Sequence, residues 1–302
     1  MRHSALNVYF WGQEEQDRLL AECLGPAARE LWEEGALVRL WFHRFDARGP
    51  HLVFLLGAPE TRWGEARTRL ETRLARYLAE APSSMVMDGD ELERRHAECR
   101  GVHVCSADTL PGMASNNSYR FVDHPADGYL FRLTEGMNTN AVEHLLGEVA
   151  LRSAARLAGG SATFAAIRWI AELGTALARG GGDAEGLWRF YASTLLPGLH
   201  DRVASADPEL IAGIPRLIGD RNRAVLERAW DVAGAGVPAW PELGPLAEAV
   251  AGADVPAARR RAFLREVTHN VLAQLGQYVR FRIPLVLYAW ERALSPPQPV
   301  PA

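Results

Sequence analysis

The chain has no lysine; all 33 of its basic residues are arginine. That excludes Schiff-base catalysis and a phosphate loop of the GxxxxGK type, both of which need the amine. Cysteine is scarce too, with three in 302 residues. That is too few for a disulfide framework, so a reducing cytoplasm is the expected compartment. No run of 18 apolar residues occurs, and Met1-Arg2-His3 is not followed by a signal-type apolar core, so no membrane partner is expected. A formal charge of -4 gives no reason to expect nucleic acid. GxGxxG and GxSxG are absent. What is present is a 48% hydrophobic composition, enough to bury a full core at this length.

The order in that composition centres on residues 36–57 (ALVRLWFHRFDARGPHLVFLLG). Val38, Leu40 and Phe42, then Leu52, Phe54 and Leu56, recur at period two. A polar turn from Asp46 to Pro50 separates them, which predicts a β-hairpin. Leu6 to Trp11 is a further strand-like run, and Glu14 to Glu33 carries Leu19, Leu20, Cys23, Leu24, Ala27 and Leu31 near helical spacing. Pro59 to Ala79 reads as another helix. The expected fold is α+β: a largely antiparallel N-terminal sheet with helices on one face, then a mainly helical C-terminal half.

Farther on, 91–99 reads as a short helix, 102–105 as a strand, and 119–122 with 129–133 as a second hairpin. From Met137 the period is helical. Asp207-Pro208 is a helix-starting pair. Pro256 to Leu294 reads as one long segment kinked at Pro284, followed by a disordered Pro-rich tail at 295–302. The expected organisation is a single domain over 1–294, with an α+β half at 1–135 and a helical half at 136–294.

Several residue groups invite a chemical reading. His96, Cys99, His103 and Cys105 are all zinc-ligand types, but their spacings match no common zinc motif, so no metal is expected. Asn116, Asn117 and Tyr119 end a polar, turn-rich loop where function often resides, although a turn explains Asn-Asn equally well. His269, Tyr278, Arg280, Arg282, Tyr288 and Trp290 gather on the C-terminal segment. Aromatic residues at helical spacing are more often core than site. On one continuous helix, His269 and Tyr278 lie nine positions apart and face different sides.

Residues 8–57 resemble the start of the thiopeptide-type bacteriocin biosynthesis domain, the glutamate-eliminating C-terminal part of lantibiotic dehydratases that also occurs as a stand-alone protein. Phe42-His43-Arg44-Phe45 and Gly49-Pro50-His51-Leu52 carry the likeness, and Thr268-His269-Asn270 resembles the family's histidine-bearing helix. One departure is informative. Eliminating members read His-Leu-Arg-Leu-Arg where this chain has His51-Leu52-Val53-Phe54-Leu55, and the arginine after the His-Asn motif is missing. The resemblance therefore points to the branch that lost elimination, the thiopeptide pyridine synthases. It places Arg44 and His51 at the mouth of the active pocket.

The expectations that follow are specific. A pyridine synthase joins two dehydroalanines of a thiazole-containing ribosomal precursor peptide in a formal aza-cycloaddition, then loses water and the leader peptide. It needs no cofactor. His269, Tyr278, Tyr288 and Arg44 are the candidate catalytic groups, able to move protons or polarise a carbonyl. His51, Asn116, Asn117, Tyr119, Arg280, Arg282 and Trp290 are the candidate substrate contacts. The partner is the precursor peptide, leader and core, and a homodimer is allowed. Two alternatives stay open: a glutamate-eliminating lyase, which would need arginine forks for the glutamyl carboxylates, and a non-catalytic scaffold that holds the precursor on a sheet edge.

Overall fold

The computed structural model describes residues 1–45, 49–91, 93–94, 114–123, 137, 139–157, 162–235, 238–277 and 279–294. The chain divides into two compact units, Met1–Arg132 with Leu146–Ser161, and Leu133–Leu145 with Ala162–Ala302. The expected strand at 102–105, the arm at 129–133 and the tail lie outside the described residues.

The first unit is built on a four-stranded antiparallel sheet in the order β2-β3-β1-β4, with β1 Arg2–Tyr9, β2 Arg39–Phe45, β3 His51–Ala58 and β4 Ser118–Asp123. The expected hairpin is β2-β3, closing on the pair Phe45–His51. Because side chains alternate across a strand, register sorts the sheet into two faces. Leu40, Phe42, Leu52, Phe54, Leu56, Leu6, Val8 and Phe121 share one, with Phe42 stacked on Phe54 at 5.4 Å. This is the helix-covered face.

A helical run, α1 Gln13–Leu19, a π-helical turn Leu20–Leu24 and α2 Gly25–Glu33, supplies Gln16 and Asp17 to Arg44. Helix α3, Trp63–Glu80, sets Trp63 edge-on against Phe121 and Arg67 over its ring. The later helix α4, Thr139–Leu157, brings Gly147 against the Trp32 ring, whose indole N–H donates to Glu148 at 2.6 Å.

The second unit is helical: α5 Ala162–Arg179, α6 Ala184–Leu195, α7 His200–Ala204, α8 Pro208–Ile218, α9 Asp220–Ala235, α10 Leu243–Ala251, α11 Ala257–Gln274 and α12 Val279–Leu294. Asp207 caps α8 as its sequence suggests, accepting from the backbone N–H groups of Glu209 and Leu210. Large aromatic residues fill the interior, and buried indoles find acceptors: Trp169 on Thr268, Trp240 on the Ala165 carbonyl, Trp290 on Glu185.

One expectation is corrected here. The C-terminal segment breaks at Gly276, and Pro284 sits inside α12. Gly276 adopts φ 71°, which a side chain disfavours. The N–H of Gln277 reaches back to the Leu272 carbonyl and that of Gly276 to Ala273, a complete glycine-terminated helix end. Pro284 is the sixth residue of α12, past the four N–H groups that a helix start leaves unpaired, so it removes one bond to the Arg280 carbonyl without ending the helix.

Candidate active site

The break at Gly276 has a chemical outcome. It turns the chain between α11 and α12, so that Arg282 meets His269, thirteen residues earlier. The guanidinium Nη1 lies 3.1 Å from both ring nitrogens of His269, and Nε donates to the Gln277 carbonyl at 2.7 Å. From α6, the Tyr191 hydroxyl approaches His269 Nδ1 at 3.3 Å and lies within electrostatic reach of Arg282. A guanidinium only donates, so a ring nitrogen that meets it accepts.

The electrostatics of this trio are unusual. Arg282 is 6% exposed, and among the described residues no carboxylate lies within ion-pair distance of it. Burial pulls its pKa down, with Tyr191 opposing the shift. Burial pushes the Tyr191 phenol up to about 12, against the opposing charges of Arg282 and Arg265. Nearby, Glu266 takes Arg265 at 2.9 Å and the Asn270 amide at 3.1 Å, so that carboxylate is directed at them. His269 is the half-buried, accessible member, with Arg282 and Tyr191 buried behind it.

The other expected residues of this segment go elsewhere. Tyr288 is buried against α9, edge-on to Trp230 at 5.4 Å with the Arg223 guanidinium 5.9 Å from its ring, and burial raises its pKa. Trp290 packs in the core on Glu185. Tyr278 and the Arg280 side chain lie outside the described residues, as do His96, Cys99, His103 and Cys105. Tyr191 escaped the sequence reading. It falls on the apolar stripe of α6 with Leu187 and Trp188, and nothing in that spacing separates a core tyrosine from a working one.

In the first unit, Arg44 is held by Asp17 and by Gln16 at 3.1 Å. His51 is buried on the other sheet face, its ring 4.6 Å from Tyr9 and 5.8 Å from Phe45, with Nδ1 2.9 Å from the Gly49 carbonyl. Asn116 accepts from the Trp11 N–H and donates to the Met85 carbonyl, while Asn117 grips both the N–H and the carbonyl of Ser83. These two asparagines commit their polar atoms to the chain itself. Tyr119 stands half-exposed on β4 opposite Val8. Val53 and Leu55, where the elimination pattern carries arginine, are buried on the same face as His51.

Comparison with known proteins then places the chain. Residues 4–106 match the family described as lantibiotic biosynthesis dehydratase C-term. A solved structure, the pyridine synthase TbtD from thiomuracin biosynthesis, shares the fold with a TM-score of 0.65, 19% sequence identity and coverage of 97% of each chain. No curated protein matches. No helix among the described residues is long and apolar enough to cross a membrane.

Proposed function

We propose that the protein is a pyridine synthase that closes the macrocycle of a thiazole-containing ribosomal peptide by joining two dehydroalanines. The observation that carries this reading is the buried Arg282, free of any carboxylate among the described residues and set against His269 and Tyr191. A buried guanidinium without a counter-ion is costly. A site that must stabilise developing negative charge on a carbonyl oxygen makes use of it.

The reaction begins when the amide beside one dehydroalanine tautomerises to an iminol, giving a 2-azadiene. Arg282 donates to the amide oxygen; its five N–H groups exceed what His269 and Gln277 use. His269 takes the amide proton and later returns one to a departing group, while Tyr191 fixes the imidazole. The azadiene adds across the second dehydroalanine, forming two carbon–carbon bonds. Loss of water, then of the leader peptide as a carboxamide, aromatises the ring. Orientation of the two alkenes contributes up to ~7–11 kcal/mol in well-ordered cases. The proposal calls for no cofactor.

The apolar Val53 and Leu55 weigh against glutamate elimination, since β3 then offers no guanidinium to a glutamyl carboxylate. The test is mass spectrometry of two incubations: a leader-bearing thiazole peptide with two dehydroalanines, and a glutamylated precursor. Loss of water and release of the leader as an amide from the first is the expected result. Loss of glutamate from the second replaces the synthase with a lyase, and binding without mass change in either leaves a scaffold.

A further inference from the structure

The end of helix α11 puts a buried polar side chain where an apolar one is customary. The N–H of Gln277 closes the helix on the Leu272 carbonyl at 2.8 Å and that of Gly276 on Ala273 at 2.9 Å, so the backbone completes the termination by itself. A residue in the place of Gln277 commonly lays an apolar side chain back onto the last turn. Here it is a glutamine, 8% exposed, and a buried carboxamide costs free energy unless it is bonded. Its Nε2 donates to the Leu275 carbonyl at 3.1 Å and to Thr163 Oγ1, in the first turn of α5, at 3.4 Å. Ending the helix requires neither bond.

What these bonds steady is the carbonyl of Gln277 itself. That oxygen accepts from Arg282 Nε at 2.7 Å, and the bond is buried. A guanidinium is a rigid planar fork. With Nε on the Gln277 carbonyl and Nη1 3.1 Å from the His269 ring, the plane is held at two points and the direction of its other N–H groups follows. Helix ends fray, so a carbonyl just past one would hold such a donor loosely. The side chain counters this by tying the Gln277 peptide to α11 on one side and to α5 on the other.

We infer that Gln277 is a positioning residue for Arg282: its carboxamide, braced on Leu275 and Thr163, steadies the carbonyl that aims the guanidinium at the reacting amide oxygen. The inference rests on the preceding reading for what Arg282 does, and on geometry for how Arg282 is held. A misplacement of about 1 Å costs about 10²-fold in rate, so loosening this brace lowers kcat and leaves KM nearly alone.

The experiment uses the full-length chain and two readouts. One is turnover of the leader-bearing thiazole peptide with two dehydroalanines, followed by mass spectrometry. The other is NMR hydrogen exchange at the Arg282 Nε–H, its signal assigned by its loss in Arg282→Met. Gln277→Leu is expected to melt no lower than the parent, to lower kcat at least tenfold with KM within twofold, and to speed the exchange at least tenfold. On top of Arg282→Met it is expected to change kcat by less than twofold, because the two residues act as one unit. Thr163→Val is expected to move both readouts the same way, by about threefold. Gln277→Leu with kcat and exchange within twofold of the parent overturns the proposal, and so does a full tenfold effect on top of Arg282→Met. If Gln277→Leu does not fold, Thr163→Val with both readouts unchanged overturns it instead. A parent that leaves the peptide untransformed refutes the synthase, and the exchange measurement then decides the brace by itself. An active parent with unaffected variants refutes the brace alone.

Discussion

Replacing Arg282 by methionine separates a working guanidinium from a structural one. The side chain is buried, lacks a carboxylate among the described residues, and bonds the Gln277 carbonyl and the His269 ring. Stripping water from a charge costs several kcal/mol even after the protein relaxes, and methionine of similar length removes that cost. Against this stand the neutral partners left behind, each worth about 1–3 kcal/mol when buried without a donor. The opposing terms are of similar size, so Arg282→Met is expected to change stability by no more than about 2 kcal/mol, far from the ~3–5 kcal/mol lost when a true buried ion pair is broken. Turnover has no such compensation. Losing one preorganised donor to a developing oxyanion costs about 10²–10³ in rate. Chemical denaturation and single-turnover mass spectrometry on the same preparation read both quantities. A variant that loses ~3–5 kcal/mol while keeping its turnover would refute the reasoning and make Arg282 a structural strut.

Alkaline titration tests the environment of Tyr191. Its phenol is held to about 12 against an ordinary value of 10.0, so above pH 10 the unfolded chain releases a proton that the folded chain retains. Stability then falls as pH rises from 10 to 12. Tyr191→Phe is expected to lack that contribution, up to about 3 kcal/mol at ~1.4 kcal/mol per unit, and denaturation curves of the two proteins that stay parallel across this window would contradict the burial. At Gly147, a methyl group would overlap the Trp32 ring, which its bond to Glu148 holds in place. Gly147→Ala is expected to destabilise by about 1–3 kcal/mol in a thermal melt.

The parts of this fold that could be read from sequence were those fixed by local periodicity. Leu40, Phe42, Leu52, Phe54 and Leu56 alternate because one sheet face is core, and they fall together on that face. The helix over 14–33 was legible for the same reason, although its π-helical turn was not, since one extra residue per turn barely disturbs an apolar stripe. Asp207-Pro208 announced its helix because capping is chemistry between neighbours.

The site was legible only in pieces. His269 and Arg282 were both singled out, yet their meeting depends on Gly276. A long apolar segment with an internal proline draws attention to the proline, while a lone glycine is easily passed over. Tyr191 comes from a helix nearly eighty residues upstream, and a contact of that kind is settled by packing, with no trace in local pattern. Asn116 and Asn117 looked available because loop asparagines often are, whereas here they tie down the backbone at Ser83 and Met85.

Strand β3 has a consequence for how such proteins diversify. Leu52, Phe54 and Leu56 answer to the core beneath the helices, while His51, Val53 and Leu55 point to the opposite side. Alternate letters of one eight-residue word are thus under separate governance. A lineage can rewrite the odd-numbered set, exchanging arginine for valine or leucine, and leave the scaffold's spelling in the even-numbered set untouched. Edits at every second position of the strand then alter one face, while its place in the sheet is held by the residues between them.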